Sequence, residues 1–131
     1  MLTIRTISTI SFCLYLAAVA YLCFAKPEDV PHLPEYWFGL PADKLGHLLM
    51  FMPFPFLGYL AFCNTEANFF RKALLLTGLL AAGAAIAVAT EQVQALLQYR
   101  TADIDDLVAD AIGIFCGGVA TFIYITLKKQ I

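Results

Sequence analysis

Four long apolar runs, separated by short polar segments, make up most of the sequence. They cover residues 7–25, 45–63, 73–97 and 106–127. An α-helix crosses the hydrocarbon core of a bilayer in about 20 residues, and each run is close to that length. The pattern predicts an all-α integral membrane protein with four transmembrane helices in one bundle. Since little sequence lies outside the runs, we expect a single membrane domain over residues 1–131.

Prolines interrupt this pattern in two places. The polar segment 26–44 carries four prolines, which exclude a long helix, and an aromatic triplet at 36–38, which suits a membrane interface. We therefore expect a short interfacial segment between helices 1 and 2. The second apolar run contains Pro53 and Pro55, whose missing backbone donors predict a kink in its helix.

The distribution of lysine and arginine predicts the orientation in the membrane. A chain that crosses the membrane four times has both termini on one side, and five basic residues fall on that side against three on the other. The five are Arg5, Arg71, Lys72, Lys128 and Lys129, and the three are Lys26, Lys44 and Arg100. Because cytoplasmic loops are enriched in Lys and Arg, we expect both termini in the cytoplasm and the segments 26–44 and 98–105 outside.

Composition agrees with lipid as the solvent and argues against one class of partner. The chain is 61% hydrophobic and 14% charged, with a mean hydropathy of +0.78. Its net charge is −2, so it has no excess of cations for phosphate, and we expect no nucleic-acid partner. The cysteines lack metal-ligand spacing, and we interpret Cys13, Cys23, Cys63 and Cys116 as packing residues.

Polar side chains recur at helical spacing at the end of the third run. Glu91, Gln94 and Gln98 follow i, i+3, i+7, so they share one helix face. Earlier in this run, small residues predict close contact with a neighbouring helix. They are Gly78, Ala81, Ala82, Gly83, Ala85 and Ala89.

The start of the fourth run repeats the polar spacing. Asp103, Asp106 and Asp110 again follow i, i+3, i+7, and Gly113 and Gly117 continue that face. The glycines form a GxxxG pattern, which allows a neighbouring backbone to approach. Since consecutive helices are antiparallel, both polar stripes belong to the same end of the bundle.

A third polar group, Asp43, Lys44 and His47, lies at the start of the second run. All three groups fall at one membrane depth, so we expect one extracytoplasmic cluster. Its members are Asp43, Lys44, His47, Glu91, Gln94, Arg100, Asp103, Asp106 and Asp110.

Structural and functional interpretations are both open for several members of this cluster. Asp103 suits a helix N-cap, with Asp106 answering it as the acid of a capping box. Asp43 suits a cap of the second helix, and Arg100 suits a pair with an aspartate. Ionisable groups deeper in an apolar segment are costly and usually face the protein interior. A functional role or a tight pair is therefore favoured for Glu91 and Asp110.

These motifs resemble those of the VanZ-like family of small bacterial membrane proteins over about residues 43–118. The matching pieces are Asp43-Lys44-x-x-His47, Glu91-x-x-Gln94 and Arg100-x-x-Asp103-x-x-Asp106-x-x-x-Asp110-x-x-Gly113. Asp110 stands where the family usually has Asn, and Phe51 where an aromatic residue, often Tyr, is usual. The resemblance implies a multi-pass protein of the bacterial cytoplasmic (inner) membrane. The namesake of the family is associated with low-level resistance to teicoplanin, a glycopeptide antibiotic that carries a lipid chain.

Three functions fit the predicted cluster, and we rank binding first. A polar pocket would recognise a lipid-linked envelope component or a lipidated glycopeptide, with Lys44 and Arg100 meeting phosphate or carboxylate. This role needs no cofactor, and it implies membrane lipid as a partner. An enzyme acting on a lipid head group, with a divalent cation, comes second. An ion-coupled carrier in which Glu91 and Asp110 relay charge comes third, and it would require an oligomer.

Overall fold

The computed structural model describes residues 1–129, and helices dominate it. The helices are α1 (Ile4–Phe24), α2 (Ala42–Phe51), α3 (Phe54–Phe62), α4 (Phe69–Leu96) and α5 (Ile104–Lys129). Helices α2 and α3 share the segment Ala42–Phe62, so four helical segments are long and apolar enough to cross a membrane. The prediction of an all-α membrane protein with four spanning segments is confirmed. The last two residues of the expected domain lie outside the described part.

Helices α1 and α4 start a few residues away from the starts of the apolar runs, because a capping side chain, and not hydropathy, sets where each begins. Helix α4 starts at Phe69 and not at 73, since the Asn68 side chain accepts a hydrogen bond from the Arg71 backbone N–H at 2.9 Å. In the same way, the Thr3 side chain caps α1 by accepting from the Thr6 backbone N–H at 3.1 Å.

The segment between α1 and α2 forms a short hairpin instead of a long helix. Strand β1 (Tyr36–Trp37) pairs antiparallel with strand β2 (Leu40–Pro41). Phe38 and Gly39 make the two-residue turn with φ of 53° and 77°, the left-handed conformation that such hairpin turns require. The Phe38 side chain is fully exposed at the tip.

The second span is broken where its prolines lie. Helix α2 ends at Phe51 and α3 begins at Phe54, because Pro53 and Pro55 cannot donate backbone hydrogen bonds to the preceding turn. The Tyr15 hydroxyl of α1 donates to the Met50 carbonyl beside this break. A side chain from a neighbouring helix thus supplies a donor to backbone at the depth of the bilayer, as membrane interiors require.

Two glycines allow the backbones of α2 and α5 to meet. A Cβ atom added at Gly113 would overlap the Leu48 carbonyl, and one added at Gly117 would overlap the Met52 carbonyl. Helix α5 packs mainly against α2 and α4. The close approach fixes which residues of α2 face which residues of α5.

The expectation for the small residues of α4 was wrong for most of them. Helix α4 buries Leu76, Leu79, Gly83 and Ala87, a spacing of three and four residues that selects one face. The remaining small residues point away from the protein and are exposed, namely Gly78, Ala81, Ala82, Ala85 and Ala89.

The interpretation of the cysteines as packing residues holds for only part of the set. Cys23 is buried and Cys63 is half-buried, whereas Cys13 and Cys116 are exposed on the outer surface of the helices. Their helices turn other residues inward, since α1 buries Phe12 and α5 buries the glycine face. An apolar side chain in a membrane protein faces lipid as readily as protein, so hydropathy does not separate the two.

Replacing Gly117 with Ala should destabilise the bundle by about 1–3 kcal/mol, because the added methyl group overlaps a backbone carbonyl that cannot rotate away. Thermal unfolding in detergent measures the change. Gly78→Ala is the matched control, since an added Cβ there meets nothing within 4 Å, and it should leave the midpoint unchanged or raise it. Equal midpoints for the Gly117 variant and the wild type would contradict the α2–α5 contact.

Candidate functional site

Lys44 is the centre of an ion network that joins α2 to the start of α5. Its ammonium group donates to the carboxylates of Asp103 and Asp106 and lies 3.1 Å from the Asp43 carboxylate. The side chain is only 22% exposed. One cation is therefore shared by three carboxylates, and its charge is fully neutralised within the protein.

His47 lies one turn deeper on the same face of α2 and pairs with Asp110. Its Nδ1 is 2.9 Å from Asp110 Oδ1, and its Nε2 is 3.5 Å from Asp106 Oδ2. Asp110 is completely buried. Spacings of three residues on α2 and four on α5 bring the two stripes together because the Gly113 contact aligns the helices.

Asp103 caps α5, but its partner differs from the one expected. Asp103 Oδ1 accepts from the Asp105 backbone N–H at 2.9 Å, and the Asp103 backbone N–H donates to Glu91 Oε1 of α4. The prediction that Asp106 completes the capping box was wrong, because Asp106 turns toward the Lys44 charge. A glutamate from another helix takes that part.

The Asp103 carboxylate lies outside the helical spans, and its proton affinity reflects this network. The hydrogen bond from the Lys44 ammonium holds the pKa of Asp103 below its usual value, and the bond from the Asp105 backbone N–H lowers that pKa further. The start of α5 is thus stabilised by a carboxylate that stays charged in moderately acidic solution.

The predicted helix cap at Asp43 and the predicted ion pair of Arg100 with an aspartate were both wrong. Helix α2 begins after Pro41 without a side-chain cap, and Asp43 in its first turn faces Lys44 instead. The Arg100 guanidinium donates to the carbonyls of Leu22 and Ala25 at 2.9 Å each through Nη2, and to Ala25 also through Nε. Backbone oxygens, not an aspartate, hold it.

Residues 94–100 together satisfy the carbonyl end of α1. Gln94 Nε2 donates to the Cys23 carbonyl at 2.8 Å, and the Tyr99 hydroxyl donates to the Phe24 carbonyl at 2.8 Å. With the two carbonyls bound by Arg100, these make up the four orphan acceptors that end a helix. We call this contact the α1 clasp. Gln98, the third member of the predicted stripe, is exposed.

Three buried oxygens in this region have no donor among the residues that the structure describes. They are Glu91 Oε2, Gln94 Oε1 and Asp110 Oδ2. All three are acceptors, so the buried part of the cluster has spare acceptors. Within residues 1–129, no group of three His, Cys, Asp or Glu side chains is arranged to hold a metal ion.

A cleft of about 700 Å³ opens beside this network, between the segment 30–36 and the first turns of α2. Apolar side chains form most of its wall, including Leu22, Leu33 and Met50. Its polar lining comes from Glu35, Asp43, His47 and Arg100. Such a volume and lining are typical of sites for small amphiphilic ligands.

Sequence reasoning missed the wall that the proline-rich segment contributes. Glu35 and Tyr36 line the cleft, yet they follow no helical spacing and lie in a segment that we interpreted as interfacial only. Pro31 and Pro34, which also line the cleft, were the available signal, since proline fixes φ and removes a backbone donor. Tyr99, in the α1 clasp, was also missed.

Comparison with known proteins adds one finding. The family model described as VanZ/LLP1 matches residues 12–126 of the chain. No curated protein and no solved structure matches it significantly. The match includes the second and third spans, the first span from Phe12 onward and the fourth span up to Thr126.

Replacing Glu91 with Ala should loosen the start of α5, because the Asp103 backbone N–H loses its acceptor, a loss of about 1 kcal/mol for a helix cap. Hydrogen exchange of the amides at 103–106 measures this local opening. Glu91→Gln keeps the acceptor oxygen and should retain protection, and Gln92→Ala on the exposed side is the second control. Unchanged exchange in the Ala variant would contradict the capping role.

Replacing Lys44 with Met should reduce stability at pH 7 and flatten its dependence on acid. Because the folded-state pKa of Asp103 is depressed, this carboxylate stabilises the fold above its unfolded pKa of about 3.9, and the contribution is lost as pH falls through the lower folded-state value. Thermal unfolding at pH 7 and in steps down to about pH 3 measures both effects. Lys26→Met, at an exposed lysine, should keep the wild-type profile, and identical profiles for both variants would refute the network.

Proposed function

The chain belongs to the VanZ/LLP1 family, and from this membership and the cleft we propose that it recognises an amphiphile at the membrane surface. The amphiphile is a lipid-linked component of the cell envelope or a lipidated glycopeptide of the teicoplanin type. In this proposal the chain is a multi-pass protein of the bacterial inner membrane, and the cleft opens on the extracytoplasmic side.

The single observation that carries the proposal is the chemistry of the cleft wall. The wall is mostly apolar, but Asp43, His47 and Arg100 converge on it from α2 and from the connection between α4 and α5. An apolar body with a few fixed polar groups matches a molecule that has a hydrocarbon tail and a polar head. The elements that position these groups are the same ones that the ion network and the α1 clasp stabilise.

The orientation is supported by the basic residues. Lys26, Lys44 and Arg100 lie at the end of the bundle that carries the cleft, and Lys44 is neutralised by its carboxylates. The end with both termini keeps the larger share of Lys and Arg, which favours the cytoplasmic side. In this orientation the cleft, which lies at the end opposite to the termini, faces the compartment where envelope precursors and antibiotics are found.

A second candidate function rests on the His47–Asp110 pair. A carboxylate that holds one imidazole nitrogen at 2.9 Å orients the ring and supports it as an acid or base. Because His47 also lines the cleft, the pair is placed to transfer a proton to or from a bound head group. Water would be the nucleophile in such a reaction.

Blocking the cleft tests the binding role. Gly46 lines the cleft, and an added Cβ there meets nothing within 4 Å, so Gly46→Leu should fold and fill the space that the ligand needs. We expect saturable binding of a polyprenyl-linked cell-wall precursor or of teicoplanin to protein in nanodiscs. Gly46→Leu should weaken this binding by about tenfold or more, a loss of at least ~1.4 kcal/mol in binding free energy.

Gly78→Leu is the matched control, since Gly78 also has open space but lies on the exposed face of α4, and it should bind as the wild type does. The absence of saturable binding for both ligands, or equal binding by both variants, would refute the proposal. Mass spectrometry of the recovered ligand separates the two functions, because only an enzyme returns it chemically changed.

A further inference from the structure

We propose that the cleft selects a zwitterionic head group, with its anionic part at Arg100 and a primary ammonium at Glu35. This inference rests on the proposed function, since it specifies which amphiphile the cleft accepts. The sequence predicts an anion contact at both Lys44 and Arg100, and this inference keeps Arg100 alone. Some charges of the cleft are already paired within the protein, and others are not.

Arg100 is a fixed cation without a counter-charge. Its Nε and Nη2 are held by carbonyls of α1, so the guanidinium cannot swing away. No carboxylate in residues 1–129 lies within 4 Å of it, and its Nη1 donates to none of the described groups. A half-buried guanidinium in a cleft wall, held rigidly and unpaired, is suited to phosphate or carboxylate.

Lys44 cannot take this part. Its ammonium group already contacts the carboxylates of Asp43, Asp103 and Asp106. A phosphate that approached it would meet three negative charges around one positive charge, and the interaction would be repulsive. The network therefore leaves Arg100 as the cation of the cleft wall that can receive an anion.

Glu35 is the complementary group. It lines the same cleft, its side chain is exposed, and within the described chain its carboxylate forms no ion pair. Its backbone carbonyl accepts a hydrogen bond from the Ala42 N–H at 2.9 Å, which holds this part of the segment against the first turn of α2. The cleft wall thus carries an anion, Glu35, and a cation, Arg100, and neither forms an ion pair within the described chain.

A ligand that carries both charges satisfies both groups. A primary ammonium has three N–H donors for Glu35 and for the exposed Asp43 carboxylate, whereas a quaternary ammonium has none. The phosphate or carboxylate of the same head group then reaches Arg100, and the attached chain lies along Leu22, Leu33 and Met50. A phosphoethanolamine lipid is the simplest molecule with this chemistry.

Native mass spectrometry of the detergent-solubilised protein can compare lipids with identical acyl chains. The probes are phosphatidylethanolamine, phosphatidylcholine, which lacks N–H donors, and phosphatidylglycerol, which lacks a cation. We expect phosphatidylethanolamine to bind about three- to tenfold more tightly than the other two, as one charge-assisted hydrogen-bonded contact allows. Gly46→Leu should remove the binding of all three.

Charge reversal at Glu35 tests the assignment directly. Glu35→Lys should abolish the preference for phosphatidylethanolamine and favour phosphatidylglycerol. Glu28→Lys makes the same change of charge at an exposed position of the same segment outside the cleft, and it should keep the wild-type preference.

Two results distinguish failure of the inference from failure of the proposed function. Equal affinity for the three lipids, or an unchanged preference in Glu35→Lys, would overturn the zwitterionic head group while binding still depends on Gly46. Binding that Gly46→Leu does not affect would overturn the cleft itself as the site, and the inference with it.

Discussion

A carboxylate within a bilayer must find a cation or a donor inside the protein, because lipid offers neither. Helix α5 carries two such groups on one face, Asp106 and Asp110, and α2 pairs them with Lys44 and His47. This exchange requires the two helices to lie close together and in one register. The glycines of α5 provide that closeness, so the packing of backbones and the pairing of charges depend on each other.

The polar end of the bundle contains both an ion network, whose charges are paired within the protein, and a cleft that is accessible from outside. The network neutralises the charge of Lys44 and orients His47. Arg100 is held in the α1 clasp, and its Nη1 has no partner among the residues that the structure describes. A group that is held rigidly before a ligand arrives loses little entropy on binding. In the proposed function, the structural role of Arg100 would therefore support ligand recognition instead of competing with it.

Helical spacing was enough to predict which polar residues share a face, but not which atoms they contact. The stripe of Asp103, Asp106 and Asp110 could be derived from period alone, and α2 meets it at the expected depth. The partner of Gln94 could not be derived in this way, because nothing in the spacing of Gln94 indicates that the end of α1 packs against it. The cap that Glu91 provides could not be predicted for the same reason, since a cap from another helix leaves no local sequence pattern.

The small residues of α4 show a second limit of this reasoning. In water, an apolar or small residue is informative because its burial is favourable, but in lipid the outer face of a helix has no such preference. Only the face that includes Gly83 and Ala87 turned out to be internal. Polar residues are the reliable guides in such a chain, because for them the two environments differ most in free energy.

The α1 clasp bears on the order in which the chain can assemble. Helix α1 is synthesised before α4, but the protein donors for its last carbonyls come from residues 94–100. Until that part of the chain has been synthesised and inserted, those oxygens depend on water or head groups at the membrane surface. Helix α1 is thus completed by a segment that emerges only after the third span of this bundle, so its final position is set later in biogenesis than its synthesis.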